Sequence, residues 1–147
     1  MILYLASWVR GPSGSRASED DIASNKMYAS HAAARLRTAL EPFHQVVCPH
    51  EDGLLGKIDD LWLETRSEHL VHLAVQRCTS LLDACDGLVA ITRGYVSAGM
   101  QLEIEYAKRF GKFVYKTEEL TDESLEDLVM ALIEYEGNRD GKTANQA

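Results

Sequence analysis

With 147 residues, 46% of them hydrophobic, the chain has the length and apolar content for one domain with a real core, and not for two. Its formal charge of −8 excludes the basic stripe that collects backbone phosphates, so no nucleic-acid polymer is expected, whereas a single nucleotide in a small pocket is compatible with it. Three cysteines, Cys48, Cys78 and Cys85, have neither the even count of a disulfide framework nor C-x-x-C spacing, which predicts buried free thiols in a reducing compartment.

The run Ile2-Leu3-Tyr4-Leu5-Ala6 is short, continuous and apolar, as a central parallel strand buried on both faces requires. It is too short for a signal peptide or a membrane span, so a soluble cytoplasmic protein without a membrane partner is expected. The segment from Ser7 to Asp21, with Arg10, Gly11, Pro12 and Gly14, reads as a loop that is long for a strand-to-helix connection. Loops of that length in compact domains are commonly functional, and after the first strand of an open α/β sheet they lie at the carboxyl edge, where ligands bind.

From Asn25 to Leu40, Met27, Ala29, Ala32, Ala33, Leu36 and Leu40 recur at helical spacing, with Ser24 as a cap and Pro42 beyond the end. This predicts the crossover helix of a βαβ unit. Gln45 to Cys48 follows as a short strand, and His50 comes directly after it, again at the carboxyl edge. Residues Glu51 to Asp60 are polar and glycine-bearing and read as a mobile loop partly covering that edge. Leu61 to Cys85 reads as helical, with a break near Thr65 to Ser67. His69 and His72, three apart on that helix, lack a third ligand, so no metal site is expected.

Asp86 opens the buried strand Gly87-Leu88-Val89-Ala90-Ile91. The next helix carries Met100, Leu102, Ile104, Tyr106, Ala107 and Phe110, with Ser97 as N-cap and Gly111 just past its end. Glu103 and Glu105 lie two positions apart on it, so only one of them can face a cleft at its N-terminus. Phe113 to Tyr115 gives a fourth strand, and Ser124 to Tyr135 a last amphipathic helix capped by Thr121 or Asp122. From Gly137 onward apolar periodicity is lost, which predicts a domain over 1–136 and a disordered tail over 137–147. Strands alternating with helices imply a three-layer α/β domain of flavodoxin-like or Rossmann-like type, with a small parallel sheet of four to five strands.

Two stretches, Tyr4-x5-Arg10-Gly11 and Ser97-x-Gly99-x3-Glu103-x3-Ala107, resemble the nucleoside 2-deoxyribosyltransferase-like superfamily over about the first four fifths of the chain. Within it, the motifs are most similar to those of the 2′-deoxynucleoside 5′-monophosphate N-glycosidases. Deoxyribosyltransferases proper have an aspartate where this chain has Ser97, and it holds the sugar 5′-hydroxyl; the N-glycosidases have serine. The chemistry fits, since an anion repels a phosphate, whereas a hydroxyl at a helix N-terminus donates to it. Two departures stand in the first stretch, where Ser7 replaces a glycine and Trp8 a serine.

The resemblance implies that Glu103 is the nucleophile and that Ser7, Trp8, Arg10, Gly11, His50, Asp86, Ser97 and Gly99 bind substrate, with no cofactor and no metal. It implies hydrolysis of the N-glycosidic bond of a nucleoside 5′-monophosphate, with transfer to another base, or nucleotide binding without turnover, as alternatives. It also implies a homodimer or higher homo-oligomer, because a neighbouring subunit completes each site in that family. Arg77-Cys78 stands where the family has an arginine-aspartate pair. A thiol, with a reference pKa of about 8.5, lacks the ready proton of that acid. The acid is then expected from Asp83, Asp86 or a carboxylate of residues 51–60.

Overall fold

A computed structural model describes residues 1–146, with side chains through Arg139. Four strands, β1 (Ile2–Ala6), β2 (Gln45–Val47), β3 (Gly87–Ile91) and β4 (Phe113–Thr117), form one all-parallel sheet in the order β2-β1-β3-β4. Leu3 pairs with Val46 on one side of β1, Tyr4 with Leu88 on the other, and Val89 of β3 with Tyr115. Five helices surround it: α1 (Glu19–Leu40), α2 (Gly53–Thr65), α3 (Glu68–Asp83), α4 (Ala98–Arg109) and α5 (Asp122–Gln146).

The period of two along each strand sorts the core into two layers. Leu3 and Leu5 of β1 and Val89 and Ile91 of β3 pack against Ala29, Ala33, Leu36 and Leu40 of α1 and Leu128 and Leu132 of α5. The alternate residues, Tyr4, Ala6, Leu88 and Ala90, pack against Leu82 of α3 and Met100, Ile104 and Ala107 of α4. Both faces are covered, which is why the central strands read as unbroken apolar runs and not as alternating ones. The expected three-layer α/β arrangement is therefore what the chain adopts. No helix among the described residues is long and apolar enough to cross a membrane.

Several boundaries differ from the sequence reading. Helix α1 starts at Glu19, six residues before Asn25, because Ser18 and Asp21 form a reciprocal capping box and Glu19, Asp20 and Asp21 complement the helix dipole in the first turn. Ser24 is thus interior. The segment before it, residues 11–16, is no open loop but two short 3-10 turns joined at Gly14. The expected mobile loop over residues 51–60 is mostly helix α2: Asp52 caps it through the Leu55 N–H at 3.0 Å, and Leu55, Ile58 and Trp62 are its buried stripe. Two glycines and a run of polar residues hid that stripe.

The expected break falls between α2 and α3, where Arg66 takes a left-handed conformation (φ 54°). Thr121 and Ser124 exchange side-chain-to-backbone bonds of 2.7 and 3.1 Å at the start of α5. That helix continues through Gly137 to Arg139, residues that the sequence reading gives to the tail. The glycine at 137 costs only about 1 kcal/mol, and Tyr135 anchors this turn with its ring 5.3 Å from that of Phe113. The side chains of 140–146, and residue 147 altogether, lie outside the described residues.

Candidate functional site

Helix α1, which follows β1, and helix α4, which follows β3, lie on opposite faces of the sheet, so the two connections part at the carboxyl edge between adjacent strands. That divergence is where open parallel sheets bind ligands. A cavity of about 290 Å³ opens there. Its walls are residues 7–11 after β1, His50 after β2, the inner faces of α2 and α3, and the stretch from Tyr95 to Glu103.

Helix α4 delivers the carboxylate. Ser97 caps it, its Oγ accepting from the Met100 N–H at 3.1 Å, while Met100, Ile104 and Ala107 dock on the sheet. Glu103, one position before Ile104, is left facing the cavity. Burial pushes its carboxyl up to about 7, and the nearby Tyr4 hydroxyl acts weakly the other way. Glu105 points outward and accepts from the Gln101 amide at 3.0 Å.

Protein interiors pair their polar groups. Among the described residues the buried side-chain atoms without an aligned hydrogen bond are Tyr4 Oη, Ser7 Oγ, His50 Nδ1, Asp59 Oδ2 and Glu103 Oε2. Four of these residues line this cavity, and Tyr4 is the residue that acts on Glu103. Asp59 Oδ2 does stand 2.8 Å from Lys26 Nζ, an ion pair outside hydrogen-bond alignment. So many orphaned polar atoms in one place suit a polar ligand that supplies their partners.

His50 has a fixed tautomer. Its Nε2 lies 2.6 Å from the Ser7 carbonyl, which can only accept, so Nε2 carries the hydrogen. Burial lowers its pKa and keeps the ring neutral, leaving Nδ1 as a bare acceptor. The Trp8 indole N–H donates to the Thr92 and Tyr95 carbonyls at 2.8 and 3.1 Å, tying the β1 loop to the β3 loop. Gly11 takes φ +65° against that indole, where a Cβ would meet the ring at 2.6 Å. Arg10 stands over the Trp62 ring at 5.2 Å and has no hydrogen-bond acceptor among the described residues. Its donors are free, at the same cavity as the N-terminus of α4.

Ser7, Trp8, Arg10, Gly11, His50, Ser97, Gly99 and Glu103 thus come together as expected from the sequence. Asp86 does not. It precedes β3, at the amino edge of the sheet, where its carboxylate accepts from the Ile2 N–H at 2.8 Å and its carbonyl from the Phe113 N–H. A residue before a parallel strand is necessarily at the edge opposite the cavity. Asp83 is placed out similarly, accepting from the Tyr106 hydroxyl.

Cys78 does line the cavity, and burial together with the Glu103 carboxylate pushes its thiol up to about 12. Its neighbour Arg77 finds a carboxylate elsewhere, pairing with Asp52 through bonds of 2.7 and 2.9 Å that hold the Asp52 carboxyl down to about 2. Sequence reasoning missed Trp62 and singled out no one carboxylate of residues 51–60; Asp59 is the one that lines the cavity. The Leu55, Ile58, Trp62 spacing was the signal that would have placed that helix. Comparison of the chain with protein-family models, curated proteins and solved structures finds no match.

Proposed function

We propose that this chain cleaves the N-glycosidic bond of a nucleoside 5′-monophosphate, a deoxynucleotide by resemblance of its motifs. The observation that carries the reading is a buried carboxylate, Glu103, sharing one cavity with a capped helix N-terminus and an arginine, Arg10, that has no acceptor among the described residues. The N–H groups at the start of α4, the Ser97 hydroxyl and Arg10 bind the phosphate and set C1′ against Glu103. Glu103 attacks C1′ through an oxocarbenium-like transition state. The C1′–N bond breaks, its electron pair leaves with the base, which takes up a proton, and water then resolves the glycosyl ester to the sugar 5-phosphate.

Asp59, ion-paired with Lys26, is the carboxylate besides Glu103 that lines the cavity, and it stands where it can contact the base, whose proton comes from water. His50 and Trp8 face the base. A second copy of the chain, as the resemblance implies, completes the site.

One observation favours a second reading. A thiol pushed up to about 12 is inert as an acid, which suits a module that binds nucleotides without turning them over. Incubation with a panel of nucleoside monophosphates, with and without a free acceptor base, separates the cases. Free base and sugar phosphate mark hydrolysis, a new nucleotide marks transfer, and binding without base release marks the sensor. Absence of binding to any of them refutes the site.

A further inference from the structure

We propose that Arg66 is a positioning residue, a clamp that fixes the 11–16 segment and, through Trp62, presents Arg10 to the ligand's anionic group. The ligand half of this rests on the phosphate reading above; the clamp itself does not.

The first observation is conformational. Arg66 follows α2 with φ 54° and ψ 29°, and its N–H closes the helix on the Trp62 carbonyl at 2.7 Å. That left-handed position after a helix is where glycine is the natural residue, because a side chain there strains the backbone. An arginine at such a point needs a compensating contact from its side chain.

The contacts are specific. Arg66 Nη1 donates to the Ala17 carbonyl at 2.6 Å and to the Ser15 carbonyl at 3.3 Å, and the guanidinium stands 4.5 Å from the centre of the Trp62 ring. Ala17 and Trp62 are both buried and, with Ile22, form a small cluster apart from the two main layers. The segment that Arg66 grips has little support of its own. Gly14 breaks it with φ 54° and ψ −123°, and the Ala17 N–H to Gly14 carbonyl bond is what closes its last turn. Arg10 is the residue that leads into it, and its guanidinium rests over the same Trp62 ring at 5.2 Å.

One indole thus carries two guanidinium groups with different jobs: Arg66 spends donors on the chain, and Arg10 has no acceptor among the described residues. Without Arg66 the Ala17 carbonyl loses its donor, the 3-10 turns lose their outer anchor, and Arg10 loses the fixed platform that aims it into the cavity.

The test has two arms. In the first, hydrogen exchange of the 11–17 amides is compared in ligand-free wild type, Arg66→Ala and Arg66→Gly. The clamp requires exchange to speed up about tenfold in both variants. Arg66→Gly, with a relaxed backbone, keeps the wild-type melting temperature, so the change is not global unfolding. In the second, turnover is followed for a 5′-monophosphate and for its unphosphorylated nucleoside. Arg66→Ala raises KM for the monophosphate about tenfold with kcat little changed, and leaves the nucleoside unaffected. Placed on Arg10→Ala, the same substitution adds nothing further. Unchanged exchange overturns the clamp, as does a KM effect equal for nucleoside and monophosphate, or one that persists without Arg10. A wild type that turns over neither ligand overturns the reading as a hydrolase instead, and the exchange arm still decides the clamp.

Discussion

Glu103 is in a position where a charge is costly and useful together. If it attacks C1′, Glu103→Gln keeps the shape and the phosphate contacts while removing the attacking charge. Base release then falls by orders of magnitude with nucleotide affinity little altered, since the loss is confined to the transition state. Glu105→Gln is the control, being exposed and bonded to Gln101 outside the cavity, and retains full activity in the same assay. Equal behaviour of the two variants refutes the nucleophile. Arg10→Ala weakens monophosphate binding by about 1.5–3 kcal/mol in calorimetry, the range for hydrogen bonds to a charged group, without loss of fold. Ser97 was legible in the sequence as a helix cap; helical spacing said only that one of Glu103 and Glu105 faces a cleft, and the motif resemblance singled out Glu103. Asp59 was not legible, since it is one of several acidic residues over 51–60, and nothing in their spacing says which of them faces inward.

At the scale of elements, α4 makes a separable test of charge. Ser97 both caps the helix and faces the cavity, and aspartate caps equally well, so Ser97→Asp preserves the bond to the Met100 N–H while placing an anion at the position proposed for the phosphate. The expected result is a fold of unchanged melting temperature that no longer prefers monophosphates over nucleosides; a retained preference removes the phosphate from this helix end. The 3-10 segment makes a test of packing. Gly11→Ala meets both a left-handed backbone and the Trp8 ring at 2.6 Å, and loses about 1–3 kcal/mol in denaturant unfolding. Helix interiors were readable from spacing, and helix starts less so. The Ser18 to Asp21 capping box overrode Ser24, and α2 was obscured by glycines whose cost its buried stripe offsets.

For the molecule as a whole, Glu103 links the site to stability. Below its usual 4.5 the carboxyl is protonated whether the chain is folded or not, and it contributes nothing. Between 4.5 and about 7 the folded chain holds a proton that the unfolded chain releases, so stability falls as pH rises, by about 3 kcal/mol in full above 7. Glu103→Gln is therefore expected to be more stable than wild type by about that amount at pH 8, with the gap closing toward pH 4 in paired denaturant titrations. A constant gap refutes the burial effect. The parallel sheet and its two covered faces were legible, because continuous apolar strands separated by helices leave few topologies. How the residues after β1 and the α2 helix fold over the carboxyl edge was not, because that small cluster joins Ala17 and Ile22 to Trp62, which are far apart in sequence.

The chain contains two tryptophans, Trp8 and Trp62, and both line the cavity that holds Glu103. Indole emission from this protein therefore carries no background from elsewhere in the fold. A bound nucleobase or a shifted arginine changes the signal directly, and Trp8→Phe and Trp62→Phe split it into a β1-loop channel and an α2 channel. The protein can be titrated against candidate ligands by its own light, with no label attached.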